Sequence, residues 1–457
     1  MSVKSWYERK YYGEIEELPE EEYDVLIIGG GIAGMQAALD LGDMGYRVIL
    51  VEKEPSIGGF MYKLSKTFPT MDCASCIATP RMAQVFHHPM VDLLIYSEVE
   101  EIEKKGEGDF RVKVLEKPRF VDASRCTGCG QCELACPVIV PHEYDWGLVG
   151  RKAVYIPFDT AVPRIAVVDL DHCIYCGQCE RACPTEPPSI DFTQVPKMHH
   201  LKVGAIIIAT GFHLFDAKLK ENYHFGEYPN VIHAMHMDRL LAPTRPYHAV
   251  LRPSDGKEPN NIAYILCVGS RDKTVDNPNC SQICCMYSIK QAQLIMGALP
   301  LADVTIYYMD IRAFGKAFEE FYQQAKDMGI MFVKGRVAKI EQKENGDLIV
   351  WYEDIENGGR LCKAEHDLVV LSVGLLPNKE IVNVFKDQKL EADDIGWIKS
   401  ADENLNPVET NIRGVFAAGT ALGPKDIPDS VIEGGAAAMQ CAAYLSEVRG
   451  GRVSGGG

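Results

Sequence analysis

The chain has 457 residues, 47% of them apolar and 24% charged, with a net charge of −17. That is a globular composition, long enough for two or three domains, and its acidity argues against nucleic acid as a main partner, because phosphate binding needs a basic surface. No run approaches the ~20 apolar residues of a membrane-spanning helix, and the N-terminus MSVKSWYERK has no secretory core.

Without a signal peptide, the sixteen cysteines read as metal ligands or redox groups in a reducing, cytoplasmic setting rather than as disulfides. Residues 1–21 read as a polar arm. Tyr23 to Gly29 is a short apolar run expected to form a buried parallel strand. The alanine-rich stretch Gly34 to Gly45 predicts a helix with a glycine stop, and Arg47 to Glu52 a second strand. Within this βαβ unit, Gly29, Gly31 and Gly34 fit G-x-G-x-x-G, and Glu52 closes the second strand. That context is what the dinucleotide fingerprint requires. Gly29 permits the turn, and Gly31 lets the backbone approach a pyrophosphate. Ile32 and Ala33 open the helix, and Gly34 lets it pack on the strand. Glu52 is expected to accept from ribose hydroxyls.

Residues 118–200 have a different texture and read as an inserted small domain. Cys126, Cys129, Cys132 and Cys136, followed by Pro137, form the bacterial ferredoxin run, and Cys173, Cys176, Cys179 and Cys183, followed by Pro184, repeat it. Thiolates at this spacing wrap an iron–sulfur cube. In two-cluster ferredoxins the fourth cysteine serves the other cluster. One [4Fe-4S] cluster is therefore expected on Cys126, Cys129, Cys132 and Cys183, and the second on Cys173, Cys176, Cys179 and Cys136.

A second α/β segment begins at Asn261 to Gly269, with later strands at Val304–Tyr308 and Asp367–Gly374. Its first strand ends in the single Gly269 where a dinucleotide fingerprint wants three glycines, which argues against a conventional nicotinamide site. A last strand at Gly414–Gly419 precedes an alanine-rich helix from about Ser430 and a tail expected to be disordered. Three readings of Cys73, Cys76, Cys280, Cys284 and Cys285 stay open: a third cluster built from Cys73, Cys76 and two of the later set, a redox dithiol at Cys73 and Cys76 near the dinucleotide cofactor, or inert buried thiols. Cys267, Cys362 and Cys441 read as core residues.

The run from Glu52 and Lys53 to Gly58 and Gly59, the strand end Ala209-Thr210-Gly211, and the late motif ending Gly419-Thr420 resemble FAD-binding segments of flavoproteins with two dinucleotide-binding domains. The resemblance implies FAD as the cofactor, with the late motif along its pyrophosphate and ribityl chain. Pro69 to Met82, Cys267 to Arg271, Cys284 to Tyr287 with Lys290 to Ala292, and Gly423 to Ile427 resemble the A subunits of the heterodisulfide reductase family over roughly residues 22–445.

The family resemblance implies an α/β, thioredoxin-reductase-like flavoprotein with an inserted two-cluster ferredoxin domain of α+β type. It implies FAD-binding parts at 22–117, 201–258 and 376–450, a second nucleotide-binding-like domain at 259–375, and a tail at 451–457. Lys425 and Lys290 become candidates for polar contact with the flavin edge, with Ile427 beside them. The resemblance further implies an oxidoreductase subunit that passes electrons between flavin and clusters, with electron bifurcation in some members. Its partners are other iron–sulfur redox subunits, in a dimer or higher assembly. Counterparts of the long members' extra N-terminal domain and C-terminal ferredoxin domain are not expected here. Related short proteins serve class II benzoyl-CoA reductase complexes and quinone-linked complexes.

Overall fold

The computed structural model describes residues 15–454. Two α/β units, each built on a seven-stranded sheet, are joined by a two-stranded ribbon, Phe212–Leu214 against Leu375–Pro377. The first sheet runs in the order Val91–Ile95, Val48–Glu52, Glu16–Ile28, Lys197–Ile208, Asp109–Glu116, Ser97–Gly106. Its first four strands are parallel. The long strand Lys197–Ile208 uses its far edge twice. Lys197 to Val203 pair antiparallel with Glu116 to Phe110, and Ile206 to Ile208 pair parallel with Val415–Ala417.

Val25–Ile28, Val48–Val51 and Ala205–Ile208 are 7% exposed or less, as continuous apolar strands covered on both faces must be. One face carries the helix Ile32–Asp43 and the long C-terminal helix Ile427–Ser454, which interlock through Ala33, Ala37, Ala437, Ala438 and Cys441. The other is covered by the irregular segment that contributes Ile381, Leu390, Ile398 and Ile412.

The expected polar arm is corrected over the part described. Glu16 to Glu21 are the exposed first half of the strand Glu16–Ile28, paired in parallel with Lys197 to Leu201. Their charges face water while one edge of the strand pairs with Lys197 to Leu201, and His200 and Lys202 reach across to Glu17 and Glu22. The remaining arm residues, 1–14, lie outside the described residues. The C-terminal helix continues through Gly450 to Ser454, so the tail expected to be disordered is helical there; residues 455–457 lie outside the described residues.

The insertion is pinched shut at its neck, where Asp191 N–H donates to Phe120 O at 2.9 Å and Asp122 N–H donates to Ser189 O at 2.7 Å. Inside it, two five-residue helices, Gln131–Ala135 and Gln178–Ala182, each follow a glycine in the left-handed region, Gly130 at φ 77° and Gly177 at φ 70°. The strand Lys197–Ile208 begins inside the range expected for the insertion, so residues 197–200 belong to the first sheet.

The second sheet runs Val231–His233, Leu368–Val373, Asn261–Val268, Asp303–Tyr308, Met331–Gln342, Leu348–Asp354, Arg360–His366. Its first five strands are parallel. Two buried histidines, His233 and His366, and the half-buried His236 belong to this unit. His233 and His236 stack with ring centroids 3.8 Å apart, and His366 sits between Tyr307 Oη at 2.9 Å and Asn261 Oδ1 at 2.7 Å. Burial pushes His236 and His366 down to about 4, and His233 well below its ordinary value. The unfolded chain therefore binds these protons near pH 6.5 while the folded chain resists them. Stability from this source is full above about pH 6.5 and falls as the pH drops toward 4, each group contributing about 1.4 kcal/mol per pH unit across its window. Thermal melting between pH 7 and 5 checks this, and replacing His366 with Asn should flatten the slope.

Candidate redox cofactor sites

The strand Glu16–Ile28 ends at Gly29, whose φ of +110° and closeness to the Ala209 carbonyl leave no room for a side chain. The chain turns through Gly30 and Gly31 straight into the helix at Ile32. A Cβ on Gly34 would collide with the Gly29 carbonyl, so that glycine lets helix and strand close. A Cβ on Gly31 would meet nothing within 4 Å, because this backbone borders a cavity of about 490 Å³. Gly29, Gly31, Ile32 and Ala33 line one stretch of it, and Glu52, Lys53 and Gly59 the next. Ala209, Thr210 and Gly211 come from the central strand's end, and Thr420, Lys425 and Ile427 from the late motif. Three expected residues stand behind the wall: Gly34; Gly58, whose N–H donates to Gly30 O at 2.9 Å; and Gly419, whose N–H donates to Glu433 at 3.0 Å.

The open approach at Gly31 and the buried, unpartnered hydroxyl of Thr210 fit a dinucleotide whose phosphates lie on the helix N-terminus. Glu52 would serve the ribose. Its carboxylate is buried, which raises its pKa, and it accepts from Gly30 N–H at 2.7 Å and Glu54 N–H at 2.9 Å. The same side chain thus braces the glycine loop.

Neither lysine proposed for the flavin edge is free. Lys425 is held by both carboxylate oxygens of Glu433 at 2.5 Å. Lys290 is fully buried in the wall, with its ammonium 2.6 Å from Asp238 Oδ1 and 3.2 Å from Ser65 Oγ. Gln291 Nε2 donates to the other Asp238 oxygen at 2.7 Å. Sequence reasoning missed Glu433, Asp238 and Ser65, since nothing local marks a polar residue that long-range packing turns inward.

In the insertion, Cys126, Cys129, Cys132 and Cys183 line one small cavity with Val121, Ile156 and Ile190. Cys136, Cys173, Cys176 and Cys179 line another with Val138, Val154 and Val168. Each cavity takes three thiols from one motif and one from the other. Among the described residues, no three His, Cys, Asp or Glu side chains converge tightly enough to hold a single metal ion. Four thiols around an apolar hollow suit the larger iron–sulfur cube.

The segment leaving these hollows also borders the large cavity. Ile156 faces the first hollow, and Tyr155, Pro157 and Phe158 line the cavity. Arg164 Nη1 donates to Gly128 O at 2.6 Å within the first cysteine loop, while Ile57 N–H, from the cavity wall, donates to Val162 O at 3.2 Å. Around the second hollow, Ile174 and Tyr175 are each 63% exposed.

The remaining cysteines separate into two groups. Cys73 and Cys76 pair with each other, sulfurs 2.6 Å apart. Cys267, Cys284 and Cys285 lie near enough to shift one another's ionisation, and Cys280 lies within electrostatic reach of Cys267 and Cys285. Cys267 is therefore no simple core residue: it is half-buried, its backbone lies at φ 59°, and its thiol neighbours Cys284 at the start of the helix Cys284–Ala298. Cys441 is fully buried in the core, and Cys362 is half-buried on a sheet edge.

This cysteine-bearing loop also changes the second unit. The strand Asn261–Val268 is followed by an α-helix only at Cys284, and the Phe215 ring lies against Gly269. Among the described residues, the turn-to-helix pyrophosphate cradle of the first unit has no equivalent here.

Family models for an FAD dependent oxidoreductase, a 4Fe-4S dicluster domain and a pyridine nucleotide-disulphide oxidoreductase match residues 24–124, 118–184 and 291–440. The chain is 48% identical over 95% of its length to an iron–sulfur A subunit of the CoB--CoM heterodisulfide reductase of Methanopyrus kandleri. It is 47% identical, again over 95%, to the A subunit of the H(2)/formate:CoB-CoM heterodisulfide,ferredoxin reductase of Methanococcus maripaludis.

The chain belongs to the family of heterodisulfide reductase A subunits.

It spans 66% of the length of each of these two relatives. The family fold is that of thioredoxin reductase. The Lactococcus lactis and T. acidophilum enzymes each superimpose with a TM-score of 0.52 at 16% identity, covering 93% of this chain and 99% of theirs. The ferredoxin insertion is added to that frame between the strands Asp109–Glu116 and Lys197–Ile208. No helix among the described residues is long and apolar enough to cross a membrane.

Proposed function

We propose that this member of the heterodisulfide reductase family is a cytoplasmic electron-transfer subunit carrying FAD and [4Fe-4S] clusters within a larger oxidoreductase complex. The observation that carries the reading is an adjacency: one segment, Val154 to Phe158, borders the dinucleotide cavity and both four-cysteine hollows. Bound FAD exchanges electrons in pairs and bound clusters exchange them singly, so such a subunit converts between the two.

The proposed order of the clusters rests on the residues that line the two hollows. Cys126, Cys129, Cys132 and Cys183 hold the cluster beside the cavity wall, and Cys136, Cys173, Cys176 and Cys179 hold the outer one. The exposed Ile174 and Tyr175 mark where an iron–sulfur partner docks. The bracing of the second unit by Phe215 and the cysteine loop disfavours a self-sufficient NAD(P)H oxidoreductase. A scaffold protein with a structural flavin is disfavoured by the shared wall. Electron bifurcation at the flavin is part of the proposal, and a single flavin couple without crossed potentials would count against it.

Cys267, Cys280, Cys284 and Cys285, rather than a set including Cys73 and Cys76, are proposed to hold a third cluster. Anaerobic purification with co-purifying partners, followed by iron, sulfide and flavin analysis, tests the whole reading. One FAD and about twelve irons per chain are expected, four for each cube. Cys280→Ser should lower the iron to about eight while leaving FAD unchanged. A chain without flavin, or one that alone oxidises NAD(P)H, would sink the proposal.

A further inference from the structure

The cofactor cavities leave Cys73 and Cys76 unused, and their local geometry is specific. Cys73 caps the fourteen-residue helix Ala74–His87, its sulfur accepting the Cys76 N–H at 3.4 Å. Ser75 Oγ lies 3.3 Å from the same sulfur. The two sulfurs are 2.6 Å apart, with Cys73 half-buried and Cys76 exposed. Two apolar residues at the same helix start, Ile77 and Ala78, divide between surface and core, Ile77 being 39% exposed and Ala78 buried. The pair therefore opens to solvent on one side and is anchored on the other. Behind it, Cys73 bridges to Lys66, and Ala74 N–H donates to Ser65 O at 3.4 Å.

We propose that Cys73 and Cys76 are a thiol–disulfide exchange site that cycles between a dithiol and an intrachain disulfide by reaction with a low-molecular-weight external disulfide. The Cys73 thiolate attacks one sulfur of that disulfide, breaking its S–S bond and releasing a thiolate that takes up a proton. Cys76 loses its proton to solvent and attacks the Cys73 sulfur of the mixed disulfide, expelling the second thiol. The external disulfide is reduced to two thiols, and the two cysteine thiols are oxidised to one disulfide. No further oxidant enters.

The roles follow from position. Cys73 lies at the positive end of the helix, where thiolates are favoured. Burial works against its ionisation, but the hydrogen bonds of Cys76 and Ser75 outweigh it and hold the Cys73 thiol below its ordinary value, whereas the bond to Cys73 pushes Cys76 up. Cys73 is thus the attacking group and Cys76 the resolving one.

Residues 67–81 follow Lys66, end in Arg81 and contain Cys73 and Cys76 as their only cysteines, so trypsin isolates the pair on one peptide. The holoprotein is equilibrated anaerobically with glutathione and glutathione disulfide at several ratios, alkylated, and digested. The expected result is a single transition from a doubly alkylated peptide to an unalkylated one that is two hydrogens lighter than the free dithiol peptide. In the Cys76→Ser protein, glutathione should remain trapped on Cys73. In the Cys73→Ser protein, an adduct on Cys76 should form at least about tenfold more slowly. Full alkylation at every ratio overturns the proposal. So does a pair that resists alkylation until iron is stripped, with iron lost in Cys73→Ser, because the cysteines are then cluster ligands. FAD and iron content of the wild type are read in the same samples, so failure of the cofactor assignment is seen separately.

Discussion

Cys136→Ser is expected to abolish the cluster of the other motif, the one on Cys173, Cys176 and Cys179, and to spare the cluster on Cys126, Cys129 and Cys132. Cys183→Ser should do the converse. The basis is the crossing of the two hollows, each lined by three thiols from one motif and one from the other. Each variant should lose about four irons per chain, and the low-temperature electron paramagnetic resonance signal that survives should match that of Cys176→Ser for the first variant and of Cys129→Ser for the second. FAD content should stay constant, since none of these cysteines lines the dinucleotide cavity. If Cys136→Ser instead matched Cys129→Ser, the motifs would each hold their own cube and the crossing would be wrong.

Asp238→Ala is expected to be the most damaging substitution away from the cysteines. Asp238 and Lys290 have side chains 3% and 1% exposed and an N–O distance of 2.6 Å. Removing the carboxylate leaves a buried ammonium without its counter-charge, and Ser65 and Gln291 without their acceptor. Breaking such a pair costs about 3–5 kcal/mol, which should appear as a lower urea midpoint by circular dichroism and a lower melting temperature. Replacing both partners with apolar residues of similar size, Asp238→Leu with Lys290→Met, should recover most of that stability, because no charge is then left buried. The double variant should nevertheless show an altered flavin absorbance spectrum or FAD affinity, since Lys290 lines the cavity. Recovery of stability without any change at the flavin would separate Lys290 from the cofactor.

The glycine fingerprint and the two cysteine motifs were legible because each is a local device. Gly29 must turn, Gly34 must admit the helix, and three thiols spaced along one loop must face one hollow, whatever the rest of the chain does. The buried strands were legible for the same kind of reason: a run such as Leu26-Ile27-Ile28 has no stable place except a sheet covered on both sides. By contrast, the Glu-rich start of the first strand reads as a solvated arm, because its charges do face water. What makes it a strand is the ladder offered by Lys197 to Lys202, far along the chain.

The sequence by itself determined the chemistry of the sites: a dinucleotide loop, eight thiols in two repeated motifs, and a second α/β unit short of glycines. The tertiary structure decided which groups meet. It gathered Cys267 with Cys284 and Cys285 and left Cys73 with Cys76. It set Asp238 against Lys290 and Glu433 against Lys425, and placed one segment between the cavity and both hollows. Most of those pairings join residues on different elements, and only the packing of sheets and helices around a shared core brings such elements within hydrogen-bonding reach.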